Sequence, residues 1–395
     1  AAGAGAGPGA SAPGDEDAAA RLAERWRQHR RGEAAPRPED DAWLPRLSAE
    51  LEAAAAAVRP SQAQEAAMDA FVRRLEQAAQ SALGECSVAL FGSAASGLWT
   101  PSSDLDVCLL VPGIEDRARR LRLLKRLGTA LRKASASHHV LLRLGAQVPI
   151  LRWAPKRPGL LACDVSVNNV LAVANSQLVL QYVKADARFR PLSLCTKAWA
   201  RGRGINDRSR GTLSSFALTL MLIHFLQRRR PPVLPSLQDL AVARKYPPVF
   251  LQGADCRYSS CPQEIAEELE RLGEGLAPNA EGLGLLLREF FRYFGYEYQR
   301  GTIAIRNRSS FVPHDGEDSC YLRIDNPFEP GKDVANVEVR LYTRLREEFR
   351  RAHALLSDGR SFEEVCEAPL PGAAGPLTEP VRPGVNAPLG VGLVP

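Results

Sequence analysis

At Asn168 the hydrophobic pattern of this 395-residue chain changes period, and that change constrains the fold more than any other feature. Before it, short apolar runs at 86–91, 105–111, 148–153 and 160–167 have the length of strands and stop at turn residues. One helical stretch, 117–133, is inserted between the second run and the third. After Asn168 the apolar residues recur at helical spacing over 173–182, 191–201, 213–228, 262–272 and 283–294. Upstream, 47–82 is helical too, with a breaker at Pro60. The pattern predicts a bilobal α+β architecture: a mixed-sheet unit over 85–168, a mostly helical unit over 169–360, and helices at 41–84 that partly belong to the helical unit. The Ala-, Gly- and Pro-rich ends, 1–40 and 361–395, lack the pattern for a core and are expected to be flexible.

Composition excludes several classes. With 45% hydrophobic and 24% charged residues, wholesale disorder is ruled out. No uncharged apolar run is long enough to span a bilayer: the greasiest, 216–227, is short and is followed by Arg228, Arg229 and Arg230, so no membrane association is expected. Eight cysteines without a CxxC pair suggest neither a zinc knuckle nor a disulfide framework, and fit a reducing compartment. A cytoplasmic location is expected, with a mitochondrial one as the alternative. The net charge of +6 leans towards an anionic partner.

The segment 91–107 carries the strongest chemistry. Gly92 and Ser93 stand where a strand turns into a helix, so small side chains leave backbone N–H groups and a hydroxyl free for a phosphate. Asp104 and Asp106, two apart on a predicted strand, share one face, as divalent cations held between them require. Asp164 lies mid-strand among apolar neighbours, where a lone charge is costly and something cationic should compensate it. Each feature alone reads equally as a turn or a surface carboxylate; their coincidence points to a site.

Gly-Ser, ten residues, Asp-x-Asp, then Asp on a later strand resembles the DNA polymerase beta-like nucleotidyltransferase superfamily. The resemblance implies that Asp104, Asp106 and Asp164 hold two Mg²⁺, for which Mn²⁺ can substitute. It also implies that Gly92 and Ser93 grip the outer phosphates of a nucleotide. The helical half narrows the likeness. Asn168-Asn169 through Asn175-Ser176, Lys197-Ala198-Trp199-Ala200-Arg201, Gly211-Thr212-Leu213-Ser214-Ser215-Phe216, Pro231-Pro232, and Asn326-Pro327-Phe328-Glu329 follow in the order of the terminal uridylyltransferase and poly(A) RNA polymerase family. The region 283–335 is similar to that family's poly(A) polymerase-associated domain. The fold this implies places the active site in the cleft between the two units.

Carried over residue by residue, the likeness implies that Lys197, Arg201 and Ser215 meet the triphosphate and that Phe216 stacks on the base. Asn169 and Asn175 would meet the ribose, with Ser176, Asn326, Glu329 and Lys332 completing the nucleotide site. Four positions depart from the family's usual residues. Arg201 stands for Lys, Phe216 for Tyr, Asn326 for Asp, and Lys332 for a residue that is often His in uridylyl enzymes. A lysine only donates hydrogen bonds, which suits uracil O4 and opposes the adenine amino group, so UTP is favoured over ATP. Against this, Asn326 can present oxygen or amide, and Lys332 reads equally as a solvated loop residue.

The expected activity is template-independent addition of UMP to RNA 3′ ends, with AMP addition as the first alternative. An inactive RNA-binding scaffold and a small-molecule nucleotidyltransferase are remoter ones. No RNA-binding module is recognisable, so RNA must be met by the cleft and by surface charge, unless a partner protein supplies it; the enzyme itself is expected to be a monomer. Arg117, Arg119, Arg120, Arg122, Lys125, Arg126, Arg132 and Lys133 interleave with leucines, which makes either a phosphate track or a plain solvated face. The basic segment Arg25–Arg31 carries the same two readings.

Overall fold

The computed structural model describes residues 42–134, 137–157, 159–298, 301–306, 322–335, 337 and 339–368. The basic segment Arg25–Arg31 and most of both terminal stretches lie outside these residues.

Two helices open the described chain, α1 (Leu44–Ala57) and α2 (Gln62–Leu83). The break at Pro60 does more than bend them. Ser61 caps α2 through a capping box with Gln64, and the two helices serve different cores. Leu47 and Leu51 of α1 join the core of the helical half, whereas Phe71, Leu75 and Ala79 of α2 pack under the sheet.

The sheet has five strands: β1 (Ser87–Phe91), β2 (Leu105–Leu110), β3 (His138–Arg143), β4 (Ile150–Pro155) and β5 (Cys163–Val167), in the order β1-β2-β5-β4-β3. β2 and β5 run parallel and the other pairs antiparallel, so the sheet is mixed as expected. β3 is missing from the sequence reading; it pairs with β4 along its whole length from His138↔Pro155 to Arg143↔Ile150. A four-residue helix, α3 (Gly92–Ala95), follows β1, and α4 (Arg117–Ala134) links β2 to β3. Leu123, Leu124, Leu127 and Leu131 of α4 fill the core together with Leu105, Val107 and Leu109 of β2. Period-two alternation then puts Asp106 on the opposite face from that core.

Beyond β5 come α5 (Val170–Ala185), α6 (Phe189–Gly202), α7 (Ser215–Gln227), α8 (Leu237–Ala243), α9 (Pro262–Leu272), α10 (Leu283–Arg292), α11 (Val339–Ser357) and α12 (Phe362–Cys366). The hairpin β6 (Phe250–Leu251) and β7 (Ala254–Asp255) precedes α9, and β8 (Thr302–Ile303), β9 (Arg323–Asn326) and β10 (Glu329–Asp333) form a small sheet. Trp199 anchors this half, with Phe291 and Phe349 rings at 4.7 and 5.0 Å from its own. One expectation is corrected: residues 361–366 are not tail. Ser361 caps α12, and Phe362 and Val365 are buried. Five helical residues are too short a window for periodicity to register. Among the described residues no helix is long and apolar enough to cross a membrane.

Candidate active site

Strand register assembles the carboxylates. Asp106 on β2 lies beside Asp164 on the parallel strand β5, so both side chains leave the same face. Asp104 is not on the strand as expected; β2 begins at Leu105 and Asp104 stands just before it, exposed. The antiparallel register partner of Asp164 is Arg152 on β4. Its guanidinium reaches Asp104 Oδ2 at 2.8 Å and the two oxygens of Asp164 at 3.3 and 3.4 Å. This is the cation that Asp164 demanded, and sequence reasoning did not name it. The signal was present: a charged residue between the buried Leu151 and Trp153 of an apolar strand.

One guanidinium does not neutralise three carboxylates. Burial, then Asp164 and Asp104, push Asp106 up to about 7, against the pull of Lys197 and Arg152. Burial raises Asp164 as well, opposed by Arg152. Among the described residues no three acidic, histidine or cysteine side chains stand as a finished metal cage, and Asp104 is paired with Arg152. The donor set nevertheless fits a hard divalent cation: carboxylate oxygens, in excess over positive charge, on one face of adjacent strands.

The Gly-Ser turn presses directly on this group. Gly92 has φ +64°, and a Cβ there would sit 2.1 Å from Asp106 Oδ2, so only glycine lets the turn approach the carboxylate. The Gly92 N–H is not free for a phosphate, as the sequence suggested; it donates to Ser176 Oγ at 2.8 Å. Ser176 in turn donates to Ala172 O at 2.7 Å, so its hydroxyl tethers the turn to α5. The Ser93 hydroxyl takes no hydrogen-bond partner among the described residues and remains available.

From the helical side, Lys197 on α6 donates to Ser103 Oγ at 3.3 Å, beside Asp104. Burial and Arg201 lower its ammonium to about 8, opposed by Asp106. Arg201 lies exposed one turn on. Ser215, in the first turn of α7, donates to Asn206, and Phe216 is half-buried against the helical core; neither bonds to the carboxylate group. Asn169 stands at the N-cap of α5 without capping it, so its side chain keeps its hydrogen bonds for elsewhere. Asn168, by contrast, ties β5 to the loop after β2, accepting from Val111 N and donating to Val111 O and Ile114 O.

A second cluster joins residues far apart in sequence. Asn175, buried on α5, donates to Asn326 Oδ1 at 3.3 Å; Asn326 donates to Glu329 Oε2 at 3.1 Å; and Lys332 pairs with both Glu329 oxygens at 2.8 and 2.7 Å. Asn326 Oδ1 also accepts from Phe328 N. Both ends of its carboxamide are therefore used internally, where the sequence reading left them for a base. Asn175 Oδ1 is buried with no partner. Helix α5 connects the two clusters, since neighbouring residues Asn175 and Ser176 each serve one.

A mixed sheet whose parallel strands present paired carboxylates against a Gly-Ser turn, joined to a helical half by a lysine, defines a nucleotidyltransferase fold. The family described as "Poly(A) RNA polymerase, mitochondrial-like, central palm domain" matches residues 47–184. Human terminal uridylyltransferase 7 is 33% identical over 247 residues, 61% of this chain and 16% of that protein. Poly(A) RNA polymerase cid13 of Schizosaccharomyces pombe is 30% identical over 309 residues, 75% of this chain and 51% of that protein. The chain thus spans about half or less of the length of these relatives. A structure of the Cid1 poly(U) polymerase with MgGTP bound superposes with a TM-score of 0.68 at 26% identity, covering 82% of this chain and 99% of that one. The chain belongs to the terminal uridylyltransferase and poly(A) RNA polymerase family.

Proposed function

We propose that this protein adds ribonucleotides to RNA 3′ ends without a template, with UTP preferred over ATP. The observation that carries the reading is the juxtaposition of Asp106, Asp164 and the Gly92 turn at one register position. Asp104, Asp106 and Asp164 would hold two Mg²⁺, or Mn²⁺ in their place, which supply charge neutralisation at the triphosphate and a more acidic 3′-hydroxyl. The chain's own residues do the positioning. Lys197 and the Ser93 hydroxyl face the phosphates, Arg201 and Ser215 extend that contact, Phe216 offers a ring to the base, and Asn169 and Asn175 receive the ribose.

For base choice, the Glu329 pairing fixes the Lys332 ammonium at the end of the Asn175–Asn326–Glu329 chain, with a third N–H left to donate. That favours an acceptor such as uracil O4. The enzyme works as a monomer on RNA in the cytoplasm, with a partner protein as the source of any strong RNA selectivity. The test is kcat/KM for UTP and ATP on one RNA, in the parent and in Lys332→Ala. The expected result is UTP preference that falls by about 1–3 kcal/mol in the variant. An ATP preference in the parent makes it a poly(A) polymerase, and an unchanged ratio removes Lys332 from base recognition.

A further inference from the structure

A cavity of about 420 Å³ opens where the end of α1 meets the α5–α6 connection, the first turn of α6 and the start of α10; its lining includes Glu52, Arg59, Arg188, Arg190 and Leu283. Its three guanidiniums are not equivalent. Arg188 is spent: it forms a double ion pair with Asp186 and donates to Asn279 and to the Glu281 carbonyl. Arg190 gives only its Nε, to Gly97 O at 3.0 Å, and its Nη groups make no hydrogen bond among the described residues. Arg59 is exposed, and its side chain has neither a hydrogen bond nor an ion pair among them. Arg59 and Arg190 line the same cavity, and burial, then the Arg59 charge, lower Arg190 below the ordinary arginine value. Glu52, the carboxylate in the lining, is exposed and pairs with neither.

The start of α6 does not add to this field: Asp186 accepts the Arg188 backbone N–H with Oδ1 at 2.8 Å and the Phe189 N–H with its carbonyl, and Pro191 has no N–H, so the positive charge here is that of the side chains. Two guanidiniums held in one concavity without a counter-ion repel each other, and an oxyanion accepting from both relieves that repulsion. Apart from Glu52 and the spent Arg188, the rest of the lining is Ala55, Ala56, Ala187, Pro191 and Leu283, so Arg59 and Arg190 are the side chains there with donors to offer an anion.

We propose that Arg59 and Arg190 form an anion site, distinct from the carboxylate cluster, that takes a phosphate group: a backbone phosphodiester of the RNA, or free phosphate or pyrophosphate. The RNA source rests on the proposed function; the anion site does not. Through Gly97, which follows the Gly92–Ser93 turn, Arg190 also links this cavity to the loop that carries Asp104.

The test uses the full chain and the variants Arg59→Gln, Arg190→Gln and the double variant, with no nucleoside triphosphate present. Binding of a short labelled RNA is followed by anisotropy across a salt series, and binding of pyrophosphate alone by calorimetry. If RNA supplies the phosphate, RNA affinity falls about tenfold in the double variant and the log–log salt slope shrinks by about 0.7, one single-strand phosphate contact, while pyrophosphate binding is unaltered. If the source is free phosphate, pyrophosphate affinity falls and RNA affinity holds. Unchanged binding of both in all three variants overturns the proposal. Arg59→Gln alters an exposed, unbonded side chain, so its result stands even if Arg190→Gln loosens the Gly97 loop. RNA binding that depends on Arg59, in a chain that extends no RNA, would refute the proposed activity and leave the site.

Discussion

The closest approach in the site gives the sharpest prediction, Gly92→Ala. Two costs are separable. Gly92 has φ +64°, a conformation that costs an L-residue roughly 1–2 kcal/mol. Its Cβ would also lie 2.1 Å from Asp106 Oδ2 and 2.9 Å from Cγ. A carbon and an oxygen need roughly 3.3 Å, so turn and carboxylate must separate by about 1 Å. Aspartate is short, and rotating its carboxylate away from the turn takes it off the face it shares with Asp164. A displacement of that size at a reacting centre costs on the order of 10²-fold. Gly113→Ala isolates the first cost, because Gly113 has φ +68° and open space around its Cβ position. Both variants should lose similar stability, with melting temperatures lowered by a few degrees at roughly 2–4 °C per kcal/mol. Primer extension under saturating UTP should fall about 10²-fold or more in Gly92→Ala and hold in Gly113→Ala. Equal activity of the two variants would refute the argument that contact with Asp106 is what Gly92 provides.

Three further outcomes are expected. Asp106 is raised from 3.8 to about 7, so between these values the folded chain keeps a proton that the unfolded chain has released. Stability of the metal-free protein from this group therefore falls as pH rises through that window, and thermal melts should show a slope there that Asp106→Asn removes and Mg²⁺ suppresses. Lys197, lowered to about 8, is fully charged below that pH. Its loss of charge above pH 8 should lower kcat/KM for the nucleotide, and Lys197→Met should be slow and flat across the same range. Arg152→Met leaves Asp104 and Asp164 without their shared guanidinium and should cost about 1–3 kcal/mol in metal-free unfolding, part of which Mg²⁺ restores; an unchanged melt would show that the bridge contributes nothing.

Much of this site was legible because it rests on local spacing. Asp104 and Asp106 stand only two positions apart, which brings both to one site although Asp104 falls just before the strand, and the Gly-Ser step marks a tight turn wherever the fold places it. What the sequence withheld depends on register between distant strands. That Arg152 faces Asp164 follows from the β4–β5 pairing, which no run of residues announces, and β3 escaped notice because His138, His139 and Arg143 dilute its apolar signal. The same limit explains Asn326. Nothing in the sequence around it shows that the fold brings Asn175 and Glu329 to its side chain. The basic face of α4 is partly structural: Arg117 donates to the carbonyls of Leu144, Ala146 and Gln147, and Arg126 to that of Ala82. Arginines that staple loops read in sequence like arginines that wait for RNA.

The central claim is that Asp106 and Asp164 on one sheet face, with Asp104 at the start of β2, drive nucleotidyl transfer to RNA. The measurement that tests it most directly is extension of a short labelled RNA with Mg²⁺ and each ribonucleoside triphosphate in turn, in the parent and in Asp106→Ala. The account predicts extension chiefly with UTP and a loss of at least about 10³-fold in the variant, which still folds. Turnover retained by Asp106→Ala, or no extension by the parent with any of the four, would contradict it.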